Sequence, residues 1–148
     1  MKKTRTVLTV LLTVGFIIGM SSCKKYRKYD DGEVVENTFT GNFDVGSTGS
    51  NPGGDFTGNG DSGVYSFIWD NSSSKAELNY DITTSGGSVT FVLKDAKGNE
   101  VLNETRSAGS GEDSFSGVSE EGKKGKWLVE ITLTNFNGDG SYSLTPIN

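Results

Sequence analysis

The segment Asn135-Phe136-Asn137-Gly138-Asp139-Gly140 places oxygen-bearing side chains at every second position and ends on a glycine. Asn135, Asn137 and Asp139 therefore match the start of an EF-hand loop, in which alternate positions supply calcium ligands. The bidentate acid that completes such a loop is missing, because Pro146 stands at its position. The same spacing is typical of a hairpin turn, so calcium binding and a plain turn both stay open for these three residues.

Catalytic side chains are scarce in this sequence of 148 residues, which contains no histidine. That composition excludes Ser-His-Asp and Cys-His nucleophiles and metals held by histidine. Glu120 and Glu121 are neighbours whose side chains point apart in a strand, so they do not form the facing pair of a glycosidase. Asp55, Asn59 and Asp61 form a second weak oxygen cluster. We expect a protein that is not an enzyme and has no bound cofactor, with calcium as the one open alternative.

The first twenty-two residues have the composition of an export signal. Lys2, Lys3 and Arg5 precede an apolar run that covers residues 7–20, which is 14 residues long. A bilayer-spanning helix needs about 20 apolar residues, whereas the apolar part of a signal peptide has about 7–15. We therefore predict that residues 1–22 are a signal peptide and that Cys23, the single cysteine, follows it directly.

Met20-Ser21-Ser22-Cys23 resembles a bacterial lipobox, in which small residues precede a cysteine that becomes lipidated. The resemblance implies diacylglycerol and an acyl chain such as palmitate on Cys23, and two or more chains anchor a protein stably. It places the chain in the bacterial cell envelope, with the outer membrane as the expected bilayer and its periplasmic and surface sides both open. The alternative is an ordinary secretory signal followed by a stray cysteine.

The residues after the cysteine are basic, and the rest of the chain is acidic. Residues 23–32 are predicted to be a tether whose Lys24, Lys25, Arg27 and Lys28 could contact anionic headgroups, at about 1 kcal/mol each. A solvated linker is the alternative. Signal cleavage would remove three of 14 bases and none of 19 acids, which leaves a net charge of −8. Such acidity excludes nucleic acid as a partner, because its binding requires a basic face.

From residue 33 to the end, apolar and polar residues alternate, which is typical of β-strands. The clearest run is 75–83, in which Ala76, Leu78, Tyr80 and Ile82 share one face. The other predicted strands cover residues 33–45, 64–69, 88–93, 100–105, 114–118, 126–134 and 141–145. Glycine-containing turn signals separate them at 85–87, 97–99, 109–111 and 137–140. The pattern predicts one all-β domain over residues 33–148, an antiparallel β-sandwich or jelly-roll of about eight strands.

Residues 46–63 are rich in glycine and are predicted to form a long flexible loop. Tyr65, Phe67 and Trp69 share one face of a strand. A sandwich needs large inward side chains, so we expect these three in the core, with a sugar-stacking platform as the alternative. Phe56 and Phe136 fall in predicted loops and are the better candidates for exposed aromatic side chains, with folding back onto the domain as a plug as the alternative for each.

Four segments in order resemble the bacterial pre-peptidase C-terminal type of sandwich: residues 64–67, 89–98, 125–131 and 140–144. They supply an aromatic opening strand, a Leu-x-Asp-x-x-Gly hairpin, a Gly-then-aromatic strand and a closing Gly-x-Tyr-x-Leu. The resemblance covers about residues 61–145. It implies a non-catalytic accessory domain of a kind that binds matrix polymers or calcium.

These features together predict a lipid-anchored envelope protein that binds or scaffolds other components without catalysis. Its partners would be the bilayer, through the acyl chains of Cys23, and an envelope protein or a glycan. The alternative function is a carbohydrate- or calcium-binding accessory module of the envelope.

Overall fold

The computed structural model describes residues 30–110 and 112–148. The predicted signal peptide, Cys23 and the tether up to residue 29 lie outside the described residues. Within them the chain forms seven strands, and no helix long and apolar enough to span a membrane occurs in this part. The strands are β1 Val34–Asn37, β2 Asn42–Ser47, β3 Gly53–Asn71, β4 Lys75–Lys94, β5 Glu100–Ser107, β6 Ser114–Val118 and β7 Gly125–Ile147.

Three of these strands are unusually long, at 19, 20 and 23 residues for β3, β4 and β7. Each one bends near its middle, so its two halves belong to different sheets, and every strand pairing is antiparallel. The front sheet contains β2, residues 53–60, residues 137–147, residues 75–84 and β6, in that order. The back sheet contains β1, residues 64–71, residues 125–134, residues 88–94 and β5.

The inner faces of the two sheets pack on each other through aromatic rings. Phe91 of the back sheet lies 5.5 Å from Tyr80, 5.9 Å from Tyr142 and 6.5 Å from Phe56, all in the front sheet, between ring centroids. Alternation along each strand sends these residues inward and the polar residues between them outward. The predicted fold, an all-β antiparallel sandwich, is confirmed, with seven strands, three of them bent, in place of about eight.

The predicted hairpin turns at 85–87 and 137–140 are wrong, because β4 and β7 continue through them. Gly87 has a φ of 74° and Asn135 a φ of 46°, conformations that bend a strand without reversing it. The register between β4 and β7 shifts only between residues 84 and 88 and then resumes. By contrast, the turn predicted at 97–99 is confirmed as the connection between β4 and β5. The segment predicted as one weak strand over 33–45 forms β1 and the start of β2, which belong to different sheets.

The prediction of a flexible loop over residues 46–63 is also wrong, since β3 begins at Gly53. The glycines here serve close packing. A Cβ atom on Gly54 would lie 2.6 Å from the carbonyl oxygen of Asp44, and one on Gly58 would lie 2.7 Å from that of Phe136. The glycine-rich composition suggested a flexible loop, but it belongs to a strand that has another strand packed closely on each side.

The bends give the sandwich two distinct ends. The bends of β3, β4 and β7 lie together at one end, which we call the bend end. The other end, the tether end, holds the described start of the chain: the N–H of Gly32 donates to the carbonyl of Ile68 at 2.7 Å, and the N–H of Asp70 donates to Asp31 at 2.8 Å. The described chain therefore begins at the end opposite the three bends.

Candidate functional site

The outer face of the front sheet carries a groove of about 510 Å³ across three neighbouring strands. Asp55 of β3 and Asp81 of β4 both lie directly across from Ser141 of β7. In the next row, Asp139 of β7 lies between Thr57 and Thr83 on the same two flanking strands. Three carboxylates and three hydroxyls therefore surround one open groove, which we call the sheet groove: Asp55, Thr57, Asp81, Thr83, Asp139 and Ser141.

The packing of the core beneath the sheet groove makes the polar side chains of the groove point outward. Phe56 and Ile82 alternate with the groove residues and are 1% and 0% exposed. Gly140 lies between Asp139 and Ser141, and a Cβ atom there would approach the ring of Phe56, whose Cε2 atom would be 2.7 Å away. The strand alternation and the close fit of Phe56 under Gly140 thus fix which side chains face the solvent.

The polar surface extends beyond the sheet groove itself. Asp44 of β2 lies directly across from Asp55. Toward the tether end, Asn79 lies between Ser143 and Ser116 in one further row. No lysine or arginine of the described chain lines the sheet groove, so the surface is acidic and rich in hydroxyl and amide groups.

The side chains that line the sheet groove form no hydrogen bond with any other described residue. On the outer face of the back sheet, by contrast, the hydroxyls of Thr90 and Thr105 are 2.9 Å apart, and Lys94 lies 3.9 Å from Glu130. Polar groups on the back sheet are thus partly satisfied by each other. Those of the sheet groove are free to bind solvent or a ligand.

Asn135, Asn137 and Asp139 were predicted to form either a calcium site or a turn. They lie along β7 and form neither. The N–H of Asn135 donates to Ser62 Oγ at 2.8 Å at the bend, and the carbonyl of Asn137 accepts from Thr84 Oγ1 at 3.1 Å. Asp139 lines the sheet groove. Side chains at alternate positions of a strand are about 7 Å apart and do not converge on one ion. Among the described residues, no group of three aspartate, glutamate, cysteine or histidine side chains is arranged to hold a metal ion.

The second predicted oxygen cluster consists of Asp55, Asn59 and Asp61, and its two aspartates have different roles. Asp61 accepts hydrogen bonds from the Asn59 N–H at 2.7 Å and from Thr40 Oγ1 at 2.9 Å, and these bonds lower the pKa of its carboxyl group. Asp61 therefore stabilises the bend of β3. Asp55 alone belongs to the sheet groove.

Aromatic side chains take no part in the sheet groove surface. The core prediction for Tyr65, Phe67 and Trp69 is confirmed, since all three are buried. The prediction of exposed rings at Phe56 and Phe136 is wrong: they pack edge to face with centroids 5.4 Å apart and are 1% and 0% exposed. They lie in strands of the sandwich, whose inner face requires large apolar side chains.

The sequence patterns did not identify Thr57, Asp81, Thr83 and Ser141 as site residues. The alternation in 75–83 does place Asp81 on the outward face, and that is the one signal the sequence holds for it. The juxtaposition with Asp55 depends on β7 pairing between β3 and β4, which is a long-range register that local patterns do not encode.

No protein-family model matches this chain, and a search of curated proteins gives no significant match. Several solved carbohydrate-binding modules are similar in fold. TmCBM61 in complex with beta-1,4-galactotriose is 10% identical, with 75% of this chain and 90% of that chain covered and a TM-score of 0.45. The apo form of BiXyn10A CBM1 is 10% identical, with 80% and 99% covered and a TM-score of 0.41.

A third structure is CsCBM6-3 from Clostridium stercorarium in complex with cellobiose. It is 12% identical, with 81% of this chain and 88% of that chain covered and a TM-score of 0.38. At these values the similarity says nothing about which residues of this chain bind a ligand. The resemblance to the pre-peptidase C-terminal type of sandwich stays a prediction.

Proposed function

We propose that this protein is a non-catalytic, lipid-anchored envelope protein whose front sheet binds a neutral glycan in the sheet groove. The observation that supports the proposal is the set of six unpaired polar side chains around one groove, contributed by three adjacent strands: Asp55, Thr57, Asp81, Thr83, Asp139 and Ser141. Other proteins of similar fold have been solved with galactotriose or cellobiose. The proposal for this chain depends on its own groove.

The chemistry of the sheet groove suits a ligand rich in hydroxyl groups. Each carboxylate accepts hydrogen bonds from two or more hydroxyl donors, and bonds to a charged group are the stronger kind. Thr57, Thr83 and Ser141 can both donate and accept. Asp55 and Asp81 are two strands apart, about 10 Å, so a ligand that touches both spans more than one small ring. Anionic glycans are disfavoured, because three carboxylates would repel them.

The carboxylates of the sheet groove suit binding better than glycoside hydrolysis. A glycosidase keeps one carboxyl group protonated in an apolar pocket and faces it with a second across the bond to be cleaved. Asp55, Asp81 and Asp139 are exposed side chains on one open surface. We therefore propose binding without catalysis.

The lipid anchor at Cys23 is a separate part of the proposal and depends on the sequence of residues 1–23. Diacylglycerol and acyl chains on Cys23 would hold the sandwich at a bilayer, with the basic tether next to the headgroups. Cys23→Ser should abolish the incorporation of labelled palmitate, and globomycin should cause a larger, uncleaved form of the protein to accumulate in the membrane fraction. Unchanged labelling of the variant, or no change in size with globomycin, would contradict the anchor and leave the glycan proposal unaffected.

A glycan array probed with the purified chain tests the binding proposal. We expect signal on neutral glycans, and we expect Asp81→Asn combined with Asp139→Asn to reduce binding of the best glycan about tenfold or more. Asp70→Asn is the matched control, since Asp70 is an exposed carboxylate on the back sheet. Equal binding by the double variant, or no signal on any neutral glycan, would overturn the proposal.

A further inference from the structure

A second groove lies on the side of the sandwich, between the edge strands β5 and β6. Its volume is about 370 Å³, and we call it the side groove. β5 pairs only with β4 at the border of the back sheet, and β6 pairs only with β4 at the border of the front sheet. Neither strand has a partner on its outer side among the described residues. Backbone groups of two sheet edges therefore flank the same groove.

Apolar side chains form the floor of the side groove. Phe115 is partly buried and stacks on Tyr80 at 5.1 Å, and Tyr80 stacks on Phe91 of the core at 5.5 Å. Gly117 leaves room for the ring of Phe115, which a Cβ atom at that position would strike. Val118 is 54% exposed, the largest exposed fraction among the large apolar side chains of the described chain. The groove thus opens onto the edge of the aromatic core.

Contacts between the two edges close the side groove at both ends. At the tether end, the N–H of Glu120 donates to the carbonyl of Val101 at 2.8 Å. At the bend end, Arg106 pairs with Asp113 at 2.7 Å and bonds the carbonyls of Ser107 and Ser110. The open part between them follows the middle of β5 and β6. That length, about four or five residues, fits a short extended segment.

The rim of the side groove is acidic. Glu100, Glu104 and Glu120 line it, and no lysine or arginine does. Tyr80 donates to Glu104 at 3.4 Å, and Asn103 donates to Glu100 at 3.2 Å. These are neutral donors, and none of the three glutamates forms a salt bridge in the described structure. An occupant with complementary charge must carry lysine or arginine.

We propose that the side groove docks an extended segment of a partner protein in which basic and apolar side chains alternate. In an extended segment, successive side chains point to opposite sides, so every second side chain can pack against Phe115 on the floor and against the exposed Val118 at the border of the groove. The basic side chains between them reach Glu100, Glu104 and Glu120 on the rim. The segment also adds backbone hydrogen bonds to a free sheet edge. This docking surface is distinct from the sheet groove and does not depend on glycan binding.

Fluorescence anisotropy with the full chain and three labelled decapeptides tests the proposal. The peptides alternate Lys with Val, Glu with Val, and Lys with Ser. We expect saturable binding of the Lys/Val peptide alone, weakened about tenfold by Val118→Ser and by Glu104→Gln combined with Glu120→Gln. Raising the salt from 0.1 to 0.5 M should weaken it further, because exposed charges are screened.

Matched variants on β2, the strand at the opposite edge of the front sheet, serve as controls. Val45→Ser removes an exposed apolar side chain of β2, and Asp44→Asn removes a charge from the same strand. Neither should change the affinity for the Lys/Val peptide. Three outcomes would each overturn the proposal: equal binding of the Lys/Val and Lys/Ser peptides, binding of the Lys/Val peptide that the groove variants leave unchanged, and no binding. Thermal melts confirm that each variant is folded.

Discussion

Asp55 and Asp81 lie in one row of the front sheet, on either side of Ser141, and both are directly across from it. The two carboxylates come from strands that are not neighbours, β3 and β4, which β7 separates. Neither side chain is bonded to another described residue. This relationship places two unpaired carboxylate acceptors on opposite sides of the sheet groove, on the outer face of the front sheet.

Charge repulsion on this surface gives a first prediction. Asp44 and Asp55 are directly opposite each other on β2 and β3. Like charges in that position destabilise a sheet, whereas opposite charges stabilise it by about 0.2–1 kcal/mol. Asp44→Lys should therefore raise the melting temperature in a buffer of low ionic strength. The difference from wild type should shrink in 0.5 M salt, and a melting temperature that falls would contradict this account.

Asp95 is predicted to stabilise the connection between β4 and β5. Its carboxylate accepts from the N–H groups of Lys97, Asn99 and Lys123, each at 2.9 Å. The Lys123 bond, followed by those from Asn99 and Lys97, lowers the pKa of Asp95 from 3.8 to about 2 despite some desolvation. Asp95→Ala should lower the melting temperature at pH 7 by about 5 °C or more.

The pH dependence of that variant follows from the direction of the shift. Because the folded-state pKa is lower than the unfolded value, the stabilisation is present above about pH 4 and is lost as the pH falls to about 2. The melting temperatures of wild type and Asp95→Ala should therefore converge over this interval. Asp70→Asn is the control. A difference in melting temperature between wild type and Asp95→Ala that stays constant down to pH 2 would contradict the role of the Asp95 carboxylate.

Replacing a glycine by alanine at the bends of the long strands should have very different effects at two positions. Gly87 and Gly60 have φ values of 74° and 81°, so alanine is strained at both. At Gly87 a Cβ atom would also strike the carbonyl oxygens of Thr134 and Asn135, whereas at Gly60 nothing lies within 4 Å. Urea unfolding should show a loss of about 3 kcal/mol or more for Gly87→Ala and about 1 kcal/mol for Gly60→Ala. Equal losses would show that the contact with β7 is unimportant.

Tyr142 carries a buried hydroxyl that has no hydrogen-bond partner in the described structure, and burial raises the pKa of that hydroxyl. An unsatisfied buried polar group costs about 1–3 kcal/mol. Tyr142→Phe should therefore leave the free energy of unfolding unchanged or increase it, and Tyr142→Ala should lower it by about 3–5 kcal/mol. Chemical denaturation measures both. A loss above 1 kcal/mol for the phenylalanine variant would contradict this assignment.

The sequence predicts the faces of the strands well. Ala76, Leu78 and Tyr80 alternate with polar residues, and the structure buries all three on the inner face of the front sheet. Trp69, also predicted to be inward, is directly opposite Trp127 in register, and the two rings pack edge to face at 6.0 Å. Period-two alternation is a local property of the chain, so it can be recognised without knowing which strands pair.

The bends and the sheet groove could not be predicted in the same way. Gly86 and Gly87 suit a hairpin and a bend equally well, and the choice depends on the pairing of β4 with the distant β7. The glycines of residues 53–60 suggest flexibility until the close approach of Asp44 and Phe136 is known. The row that contains Asp55 and Asp81 likewise depends on long-range register. These features depend on contacts between residues far apart in sequence.

The central claim is that the sheet groove binds a neutral glycan. The most direct measurement is an NMR titration of the ¹⁵N-labelled chain with the best neutral glycan from the array, followed through the backbone amide signals. We expect saturable shifts concentrated at residues 54–58, 80–84 and 138–142, and Asp81→Asn combined with Asp139→Asn should move their midpoint to about tenfold higher glycan concentration or more. Shifts confined to the back sheet or the side groove, or no shifts at millimolar glycan, would contradict the claim.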